Sequence, residues 1–252
     1  MKGSVEVNIT GPIATVYLNE PDSLNALTKS LKESLYVALE QIENNHEIKV
    51  VIFTGRGRAF CAGGDVKAMK QDYDSLEAKK GMDLSAKIIK KIRQLEKITI
   101  SAVNGYAAGA GMGLAISTDI IIAEENAKFY LSFKNVGLIS DLGLHYHLPR
   151  IVGEWKAKEW MWKGRIITAQ EAQKYGFVAE VVPTEKLMEK AYDLANELVE
   201  GPIQSYIFSK QIINHSQNLS LDGVLERENN IQTIIKGTEE HKNAVEKFFL
   251  KK

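Results

Sequence analysis

One carboxylate stands alone in an apolar part of the chain. Asp141 lies in the stretch FKNVGLISDLG (133–143), and it is the one acidic residue between Asn126 and Gly153. Burial in apolar surroundings penalises the charged form of a carboxyl group and raises its pKa, which makes it a stronger base than a solvated one. Asp141 is therefore a candidate general base. The alternative is an ordinary turn residue that caps the next helix.

Two glycine-rich turns are the second feature with chemical potential. They are GRGRAFCAGGD (55–65) and NGYAAGAGMG (104–113), and each follows a buried apolar run. Backbone N–H groups from two such turns can converge on one oxygen and stabilise an enolate or a tetrahedral oxyanion. The simpler alternative is that the glycines only permit tight turns between strands and helices.

Phosphate-binding motifs fit these turns poorly. Gly109, Gly111 and Gly113 nearly match the dinucleotide motif G-x-G-x-x-G, but the third glycine comes one position early. The turn also lies near residue 110 rather than at the start of a βαβ unit. A P-loop is excluded because no Gly-Lys-Ser/Thr follows.

Other reactive side chains have structural explanations. The free cysteine, Cys61, suggests a nucleophile, but it can also pack as a small hydrophobe. His145 and His147 would share a face on a strand but diverge on a helix, and no cluster of cysteines or acids accompanies them, so no metal is expected. The tryptophans are expected in the core or at a subunit contact rather than on a cofactor. They are Trp155, Trp160 and Trp162.

The composition limits the classes of partner. The chain has 32 Lys+Arg and 32 Asp+Glu residues, so charge gives no case for binding nucleic acid or an anionic membrane. One cysteine excludes an intrachain disulfide, and the N-terminal residues lack the apolar segment of a secretory signal. No apolar run reaches the roughly 18 residues of a membrane span. These features predict a cytoplasmic protein.

Strands and helices alternate around these residues. The sequence predicts strands at VEVNIT, IATVYLN, 49–55, 99–105, 119–124 and 128–133, and helices over the leucine-spaced segment 27–42, in parts of 67–97, near 111–117, and at 185–200 and 221–250. The first two strands are expected to form a hairpin around Gly11-Pro12. Alternation of the two element types indicates α/β layers, which a helical tail follows.

The motifs resemble those of a known family. The family is the crotonase (enoyl-CoA hydratase/isomerase) superfamily, and the similar segments are AFCAGGDVKAM, AVNGYAAGAGMGLAISTDIIIAEENAKF, GLISDLGLHYHLPRIVG, ITAQEAQKYGFVAEVV and NAVEKFFLKK. The resemblance implies an α/β spiral of ββα repeats with a CoA site over residues 1–195. It also implies a helical C-terminal region, 196–252, that assembles a homotrimer or a dimer of trimers. The implied substrate is an acyl-CoA thioester, with coenzyme A as part of the substrate and no separate cofactor.

The same resemblance implies roles for individual residues. The backbone N–H groups of Cys61 and Ala110 would form an oxyanion hole for the thioester carbonyl, and the Cys61 side chain would only pack. The residues expected to bind the substrate or its CoA are Ala62, Gly63, Gly64, Lys67, Gly109, Gly111, Phe133, Phe248 and Lys251. In relatives, the last two positions help to hold CoA across a subunit contact.

Two departures from the hydratase pattern bear on the expected reaction. Hydratases of the family resemble one another in carrying glutamates where this chain has Gly113 and Phe133. Adding water to a conjugated double bond needs a base to activate the water and an acid to protonate C2, and neither residue can serve. The position of Asp141 resembles that of the catalytic aspartate in dienoyl-CoA isomerases. It also resembles the corresponding position in the ring-epoxide and 3-enoyl-CoA isomerases of phenylacetate degradation. The phrase LSFKNVGLISDLG is closer to that isomerase branch than to the hydratases.

An enoyl-CoA isomerase is therefore the expected activity. Moving a double bond from C3–C4 to C2–C3 takes a proton from C2 and returns one at C4, on one face of a flat dienolate. One carboxylate, Asp141, can do both. Two alternatives stay open: an enoyl-CoA hydratase that works through Asp141 and a water, and a weakly catalytic subunit that binds acyl-CoA.

Overall fold

The chain folds into two β-sheets and a series of helices. The computed structural model describes residues 4–66 and 74–250. The strands in these ranges are β1 Val5–Thr10, β2 Ile13–Leu18, β3 Val50–Gly55, β4 Ala59–Cys61, β5 Ile98–Val103, β6 Tyr106–Ala108, β7 Ile120–Glu124, β8 Lys128–Tyr130, β9 Ile166–Thr168 and β10 Glu180–Val182. The helices are α1 Lys29–Asn44, α2 Ser75–Gln94, α3 Ala110–Ile116, α4 Leu144–Val152, α5 Glu154–Lys163, α6 Ala169–Lys174, α7 Leu187–Glu200, α8 Ile203–Ser216, α9 Leu221–Ile235 and α10 Glu239–Leu250.

From β3 to β8, successive strands alternate between the two sheets. The larger sheet has the order β1-β2-β3-β5-β7-β10, and the smaller has the order β4-β6-β8-β9. Strands β3 and β4 precede α2, and strands β5 and β6 precede α3, so each ββα unit gives its first strand to the larger sheet and its second to the smaller. The predicted α/β spiral of ββα repeats is confirmed.

The smaller sheet determines where the two glycine turns lie. β4 pairs in parallel with β6, with Cys61 opposite Ala107. Parallel neighbours end at the same edge of a sheet. The turn after Cys61 and the turn after Ala108 therefore leave the sheet side by side, although they are far apart in sequence.

The core lies on both sides of the larger sheet. Val50 and Ile52 of β3 belong to a buried cluster that includes Ala191 of α7. Val51 and Phe53 belong to a second cluster, which packs against α1 and α3. Successive side chains of a strand point to opposite faces, and here both faces are buried, as the continuous apolar run 49–55 predicts.

The first helix and the hairpin form as the sequence predicts. Thr28 caps α1, because its Oγ1 accepts a hydrogen bond from the Leu31 N–H at 3.1 Å. The buried positions of α1 are Leu31, Leu35, Ala38, Leu39 and Ile42. Gly11 adopts φ +55° in the turn between β1 and β2. These elements, the strand predicted at 99–105 and the helix predicted near 111 are confirmed to within a few residues.

The strand predicted at 128–133 is only half present. β8 ends at Tyr130, where it pairs with Ala108 of β6 and with Ile166 of β9. At this point β6 ends and β9 begins, and the Leu131 N–H donates one further hydrogen bond to the Arg165 carbonyl oxygen at 3.0 Å before the chain leaves the sheet. The chain continues as a 3₁₀ turn over Ser132–Val136.

The C-terminal helices differ most from the prediction. The segment 221–250 is two helices, α9 and α10, and Gly237 lies between them. The sequence does not predict α8, because the residues of α8 that are buried are Ile203 and Lys210. A helix whose inner face includes a lysine lacks the apolar period that marks a helix in a sequence. The division of the chain into 1–195 and 196–252 stays a prediction.

Candidate active site

The two glycine turns are in direct contact. A Cβ placed on Gly63 would lie 2.5 Å from the carbonyl oxygen of Ala108 and 3.1 Å from the backbone nitrogen of Ala110. A Cβ placed on Gly111 would lie 2.2 Å from the carbonyl oxygen of Cys61. Glycine is therefore required at both positions for the close approach. The structure brings Cys61, Gly63, Ala110 and Gly111 together, as the sequence predicts.

Ala110 presents a backbone donor at this junction. It is the first residue of α3, and Gly109 before it has φ +52°. The first N–H groups of a helix have no acceptor within the helix. In the first turn, the Ala62 N–H already donates to the Leu24 carbonyl oxygen at 2.9 Å. Ala62 is half-buried, and Gly64 is exposed.

Asn25 holds the first turn in place, although no catalytic or binding motif of the sequence includes it. The residue is fully buried and has φ +56°. Its Nδ2 donates to the carbonyl oxygens of Ala59 at 2.7 Å and Arg56 at 3.0 Å, and its Oδ1 accepts from the Glu20 N–H at 2.9 Å. The signal that points to such a residue is an asparagine in the run SLNAL before a helix, because asparagine tolerates positive φ.

Asp141 does not cap the helix that follows it. Helix α4 has Gly143 as its N-cap with no side-chain hydrogen bond, and the Leu144 N–H donates to the main-chain oxygen of Asp141 at 3.0 Å. The Asp141 Oδ1 atom is buried, and within residues 4–66 and 74–250 it has no hydrogen-bond partner. Burial raises the pKa of Asp141 to about 6, although the charges of Lys32 and His145 act in the opposite direction. The expectation of a raised pKa is met.

The neighbours of Asp141 differ in exposure. Leu142 is buried, but Ile139 is 81% exposed, so of these two apolar neighbours only Leu142 is placed to contribute to the burial of the carboxyl. A buried carboxyl with a pKa near 6 can act as a base at neutral pH and can return a proton in a later step.

Lys32 is a second residue near the site that no motif of the sequence includes. It lies on α1, and its Nζ donates to the Gly81 carbonyl oxygen of α2 at 3.1 Å. Burial lowers the pKa of Lys32, and the charge of Asp141 partly offsets that effect. Lys32 follows Leu31 in a leucine-spaced helix, and no spacing rule connects it to a residue so far along the chain.

Both positions where the family's hydratases carry glutamates are enclosed. Phe133 is 9% exposed, and its Cζ lies 3.7 Å from where a Cβ on Gly109 would be. A Cβ on Gly113 would lie 2.7 Å from the Cβ of Leu142. Neither position holds a carboxylate, and the space at Gly113 is occupied by the turn that carries Asp141.

Burial makes the Cys61 side chain a poor nucleophile. The thiol is fully buried, which raises its pKa to about 12. At neutral pH the thiolate, which is the reactive form, is therefore scarce. This agrees with a residue that contributes its backbone and packs its side chain.

Three residues expected at the CoA lie apart from this junction or outside the described ranges. Lys67 and Lys251 lie outside the described residues. Phe248 is on α10, where its ring meets that of Phe249 edge to face with centroids 5.6 Å apart. It lines a surface cleft with Pro202 and Asn243, and the described lining of that cleft includes no residue of the two turns.

Among the described residues, the histidine pair has no further side chains grouped with it that could hold a metal ion. His145 and His147 lie on α4, as the helical alternative predicts, with His145 exposed. Burial lowers the pKa of His147 to about 4, and Arg93 and Arg150 add to the effect. Within the described ranges, no three His, Cys, Asp or Glu side chains cluster to hold a metal. Trp160 is in the core, whereas Trp155 and Trp162 are exposed.

The fold and the paired glycine turns define the class of protein. A family model described as Enoyl-CoA hydratase/isomerase matches residues 8–252. The chain belongs to this family, the crotonase superfamily, and is one of its enzymes. In residues 4–66 and 74–250, no helix has the length and apolar character to cross a membrane.

Individual relatives carry the names of different reactions. The 1,2-epoxyphenylacetyl-CoA isomerase of Escherichia coli is 33% identical over 243 residues, which cover 95% of this chain and 93% of that protein. The short-chain-enoyl-CoA hydratase of Clostridium acetobutylicum is 36% identical over 244 residues, which cover 96% and 93%. The crystal structure of an enoyl-CoA hydratase from Bacillus anthracis has a TM-score of 0.93 at 30% identity and covers 99% of this chain and 97% of that one. Overall similarity therefore does not select the reaction, and the site chemistry has to be compared.

Proposed function

We propose that this enzyme is an enoyl-CoA isomerase in which Asp141 carries the proton. One observation supports this most: the buried Oδ1 of Asp141 has no hydrogen-bond partner in the described residues, while the two positions for hydratase glutamates hold Gly113 and Phe133. A carboxyl group with a pKa near 6 can give up and regain a proton at neutral pH.

The proposed reaction moves a double bond along the acyl chain. The thioester carbonyl of a 3-enoyl-CoA accepts hydrogen bonds from the N–H groups of Cys61 and Ala110. The Asp141 carboxylate removes a proton from C2, and the electron pair spreads over a dienolate whose oxygen those N–H groups stabilise. The protonated Asp141 then gives the proton to C4, which leaves a C2–C3 double bond. No atom is gained or lost, and no cofactor other than the CoA of the substrate takes part.

CoA binding completes the proposal. Ala62, Gly63 and Gly64 would lie beside the CoA, with Lys67 near its phosphates. Phe248 and Lys251 would reach the CoA of a neighbouring subunit in a homotrimer or a dimer of trimers. The support for these roles is the family membership and the resemblance of the tail sequence.

A hydratase is the second candidate. The similarity to the short-chain-enoyl-CoA hydratase, at 36% identity, favours it. In that case Asp141 would activate a water for addition to C3. The enclosed positions at Gly113 and Phe133 count against it, because addition also needs an acid to protonate C2.

Two substrates and one substitution test the proposal. The purified protein is assayed with a 3-enoyl-CoA and a 2-enoyl-CoA, beside Asp141→Asn and beside Asp193→Asn, an exposed position on α7, as a matched control. An isomerase converts the 3-enoyl substrate, and only Asp141→Asn loses this activity. Hydration of the 2-enoyl substrate that survives in Asp141→Asn would defeat the proposal. CoA binding with no turnover of either substrate would instead favour a weakly catalytic acyl-CoA-binding subunit.

A further inference from the structure

The turn that carries Asp141 excludes any side chain at position 113. A Cβ placed on Gly113 would lie 2.7 Å from the Cβ of Leu142, 3.0 Å from the Leu142 carbonyl oxygen and 3.3 Å from the Asp141 carbonyl oxygen. These neighbours are backbone atoms or an atom bonded directly to the backbone. An alanine at 113 therefore has to displace the turn itself, because rotating a flexible side chain would not relieve the contact.

The turn is held in an uncommon conformation. Leu142 has φ +47°, a region that non-glycine residues seldom occupy, and its side chain is buried. Gly143 follows with φ +82°, and the Leu144 N–H closes the turn on the Asp141 carbonyl oxygen at 3.0 Å. Such a conformation persists only where the surrounding structure imposes it. The close packing on Gly113 is part of that surrounding structure.

The position of the Asp141 carboxyl group depends on this turn. Its Oδ1 has no hydrogen-bond partner within the described ranges, so no bond to another side chain fixes that oxygen. The carboxyl group accepts a hydrogen bond from the Asp141 main chain itself, so the backbone of the turn sets where it points. A displacement of the turn would carry the carboxyl with it.

Gly113 also belongs to the helix that presents an oxyanion donor. It lies three residues after Ala110 in α3, and residues with that spacing are neighbours on one face of a helix. The Gly113 N–H donates to the Gly109 carbonyl oxygen at 3.3 Å, and the Gly113 carbonyl oxygen accepts from the Ser117 Oγ at 2.7 Å. One helix thus carries both the Ala110 donor and the surface on which the Asp141 turn packs.

We propose that Gly113 is a positioning residue. Because Gly113 has no side chain, the Asp141–Leu142 turn can pack against α3. This contact sets the position of the Asp141 carboxylate relative to the Ala110 N–H. The inference rests on the proposed function, in which both groups act on one substrate. The family's hydratases carry a glutamate at the position of Gly113. A glutamate there would clash with the turn that holds Asp141 in its present position.

Gly113→Ala tests this role through kinetics. We expect kcat for a 3-enoyl-CoA to fall roughly 10- to 100-fold, because a displacement of about 1 Å costs a reaction that much. KM should change little, because the two glycine turns that hold the thioester are intact. The acid limb of the kcat profile should move to lower pH, because a displaced carboxyl gains access to water.

A second substitution tests the contact itself. Leu142→Gly in the Gly113→Ala background removes the 2.7 Å contact between the two Cβ atoms, and it should restore part of kcat. If Gly113→Ala folds only together with Leu142→Gly, the contact is supported, and the double variant then carries the kinetic test. Ile52→Val, in the buried part of β3, controls for general destabilisation and should keep the wild-type kcat and acid limb.

Three results would overturn the inference. They are a wild-type kcat and pH profile in Gly113→Ala, an equal loss in Ile52→Val, and a double variant no better than Gly113→Ala. An NMR titration of the Asp141 carboxyl gives a readout that needs no activity. A changed titration in Gly113→Ala supports the positioning role, whatever the activity of Asp141→Asn. Isomerase activity that survives in Asp141→Asn would defeat only the proposed function.

Discussion

The carbonyl oxygen of Cys61 lies 2.2 Å from the point where a Cβ of Gly111 would be. Cys61 belongs to the first glycine turn and Gly111 to the second, so this contact joins the two turns. The two proposed oxyanion donors, the N–H groups of Cys61 and Ala110, belong to the same two turns. Gly111→Ala forces the turns apart, and overpacking of this kind costs about 1–3 kcal/mol. We expect a lower free energy of unfolding, measured by urea denaturation. We also expect weaker binding of an acyl-CoA, measured by calorimetric titration.

Gly223→Ala is the matched control for this substitution. A Cβ there meets the Ser220 Oγ at 3.5 Å as its nearest neighbour, which is an ordinary contact. Alanine also favours helix over glycine at this position in α9. Equal losses of acyl-CoA binding in both variants would contradict the importance of the contact between Gly111 and Cys61.

The difference in stability between Asp141→Asn and the wild type should depend on pH. The folded-state pKa of Asp141 is about 6, above the ordinary value of 3.8, and burial is the main cause. The folded protein therefore binds this proton more tightly than the unfolded chain, so the ionised carboxyl opposes folding above pH 6. That opposition disappears as the pH falls below 3.8. Asparagine cannot ionise, so Asp141→Asn should have a higher Tm than wild type at pH 8 and a similar Tm near pH 4.

Calorimetry at both pH values checks this expectation. Asp193→Asn serves as the control, because Asp193 is exposed. A wild-type Tm for Asp141→Asn at pH 8 would show that the carboxyl is not destabilising. In the wild type, isomerase activity should fall as the pH drops through about 6, because the base becomes protonated.

Local pattern and motif predict the fold and much of the site. The hairpin, the capped helix α1 and the strands around the glycine turns follow from spacing that neighbouring residues decide. Asn25 and Lys32 are different, since their partners lie far along the chain and only the packed fold brings them close. The packing of Leu142 on Gly113 is also long-range, and the glycine alone would have indicated no more than a tight turn.

The C-terminal half shows a second limit. The buried residues of α8 include Lys210, so its inner face is not apolar throughout and periodicity overlooks the helix. The strand expected at 128–133 is cut short for another reason, because β6 ends and β9 begins beside Tyr130. In each case a partner outside the segment decides its structure, which is where propensity gives way to tertiary context.

Lys32 should tune the acidity of Asp141. Its positive charge lowers the pKa of Asp141, which burial raises. Lys32→Met removes that charge, so the ionised carboxylate becomes less favourable and the acid limb of kcat should move to higher pH. Lys32→Arg keeps a charge at the same position and should leave the limb close to that of wild type. An unchanged pH profile in Lys32→Met would contradict the coupling.

Cys61 should be dispensable as a side chain. Its thiol is buried with a pKa of about 12, and the proposed role belongs to its backbone N–H. Cys61→Ala keeps that N–H, so kcat should stay close to the wild-type value. The native enzyme should also resist alkylation by iodoacetamide at pH 8 and react fully in urea, as measured by mass spectrometry. Complete loss of turnover in a folded Cys61→Ala would indicate a thiol nucleophile instead.

A largely buried ion pair joins α8 to the start of β7 in the larger sheet. The Lys210 Nζ lies 2.8 Å from the Asp119 Oδ2, and the two side chains are 6% and 15% exposed. Burial lowers the pKa of Lys210, and the charge of Asp119 opposes that effect. Lys210→Met would leave Asp119 buried without its cation, and breaking such a pair costs about 3–5 kcal/mol.

The hydrogen bonds of Asp119 place the expected loss near the lower end of that range. Its Oδ2 still accepts from the Thr99 N–H at 2.8 Å and from the Thr99 Oγ1 at 2.7 Å. Urea unfolding of Lys210→Met, Asp119→Asn and the double variant forms a double-mutant cycle that isolates the pair. The double variant should be more stable than the sum of the single losses implies, because asparagine needs no cation. Strictly additive losses would show that the pairing of Lys210 with Asp119 adds no stability of its own.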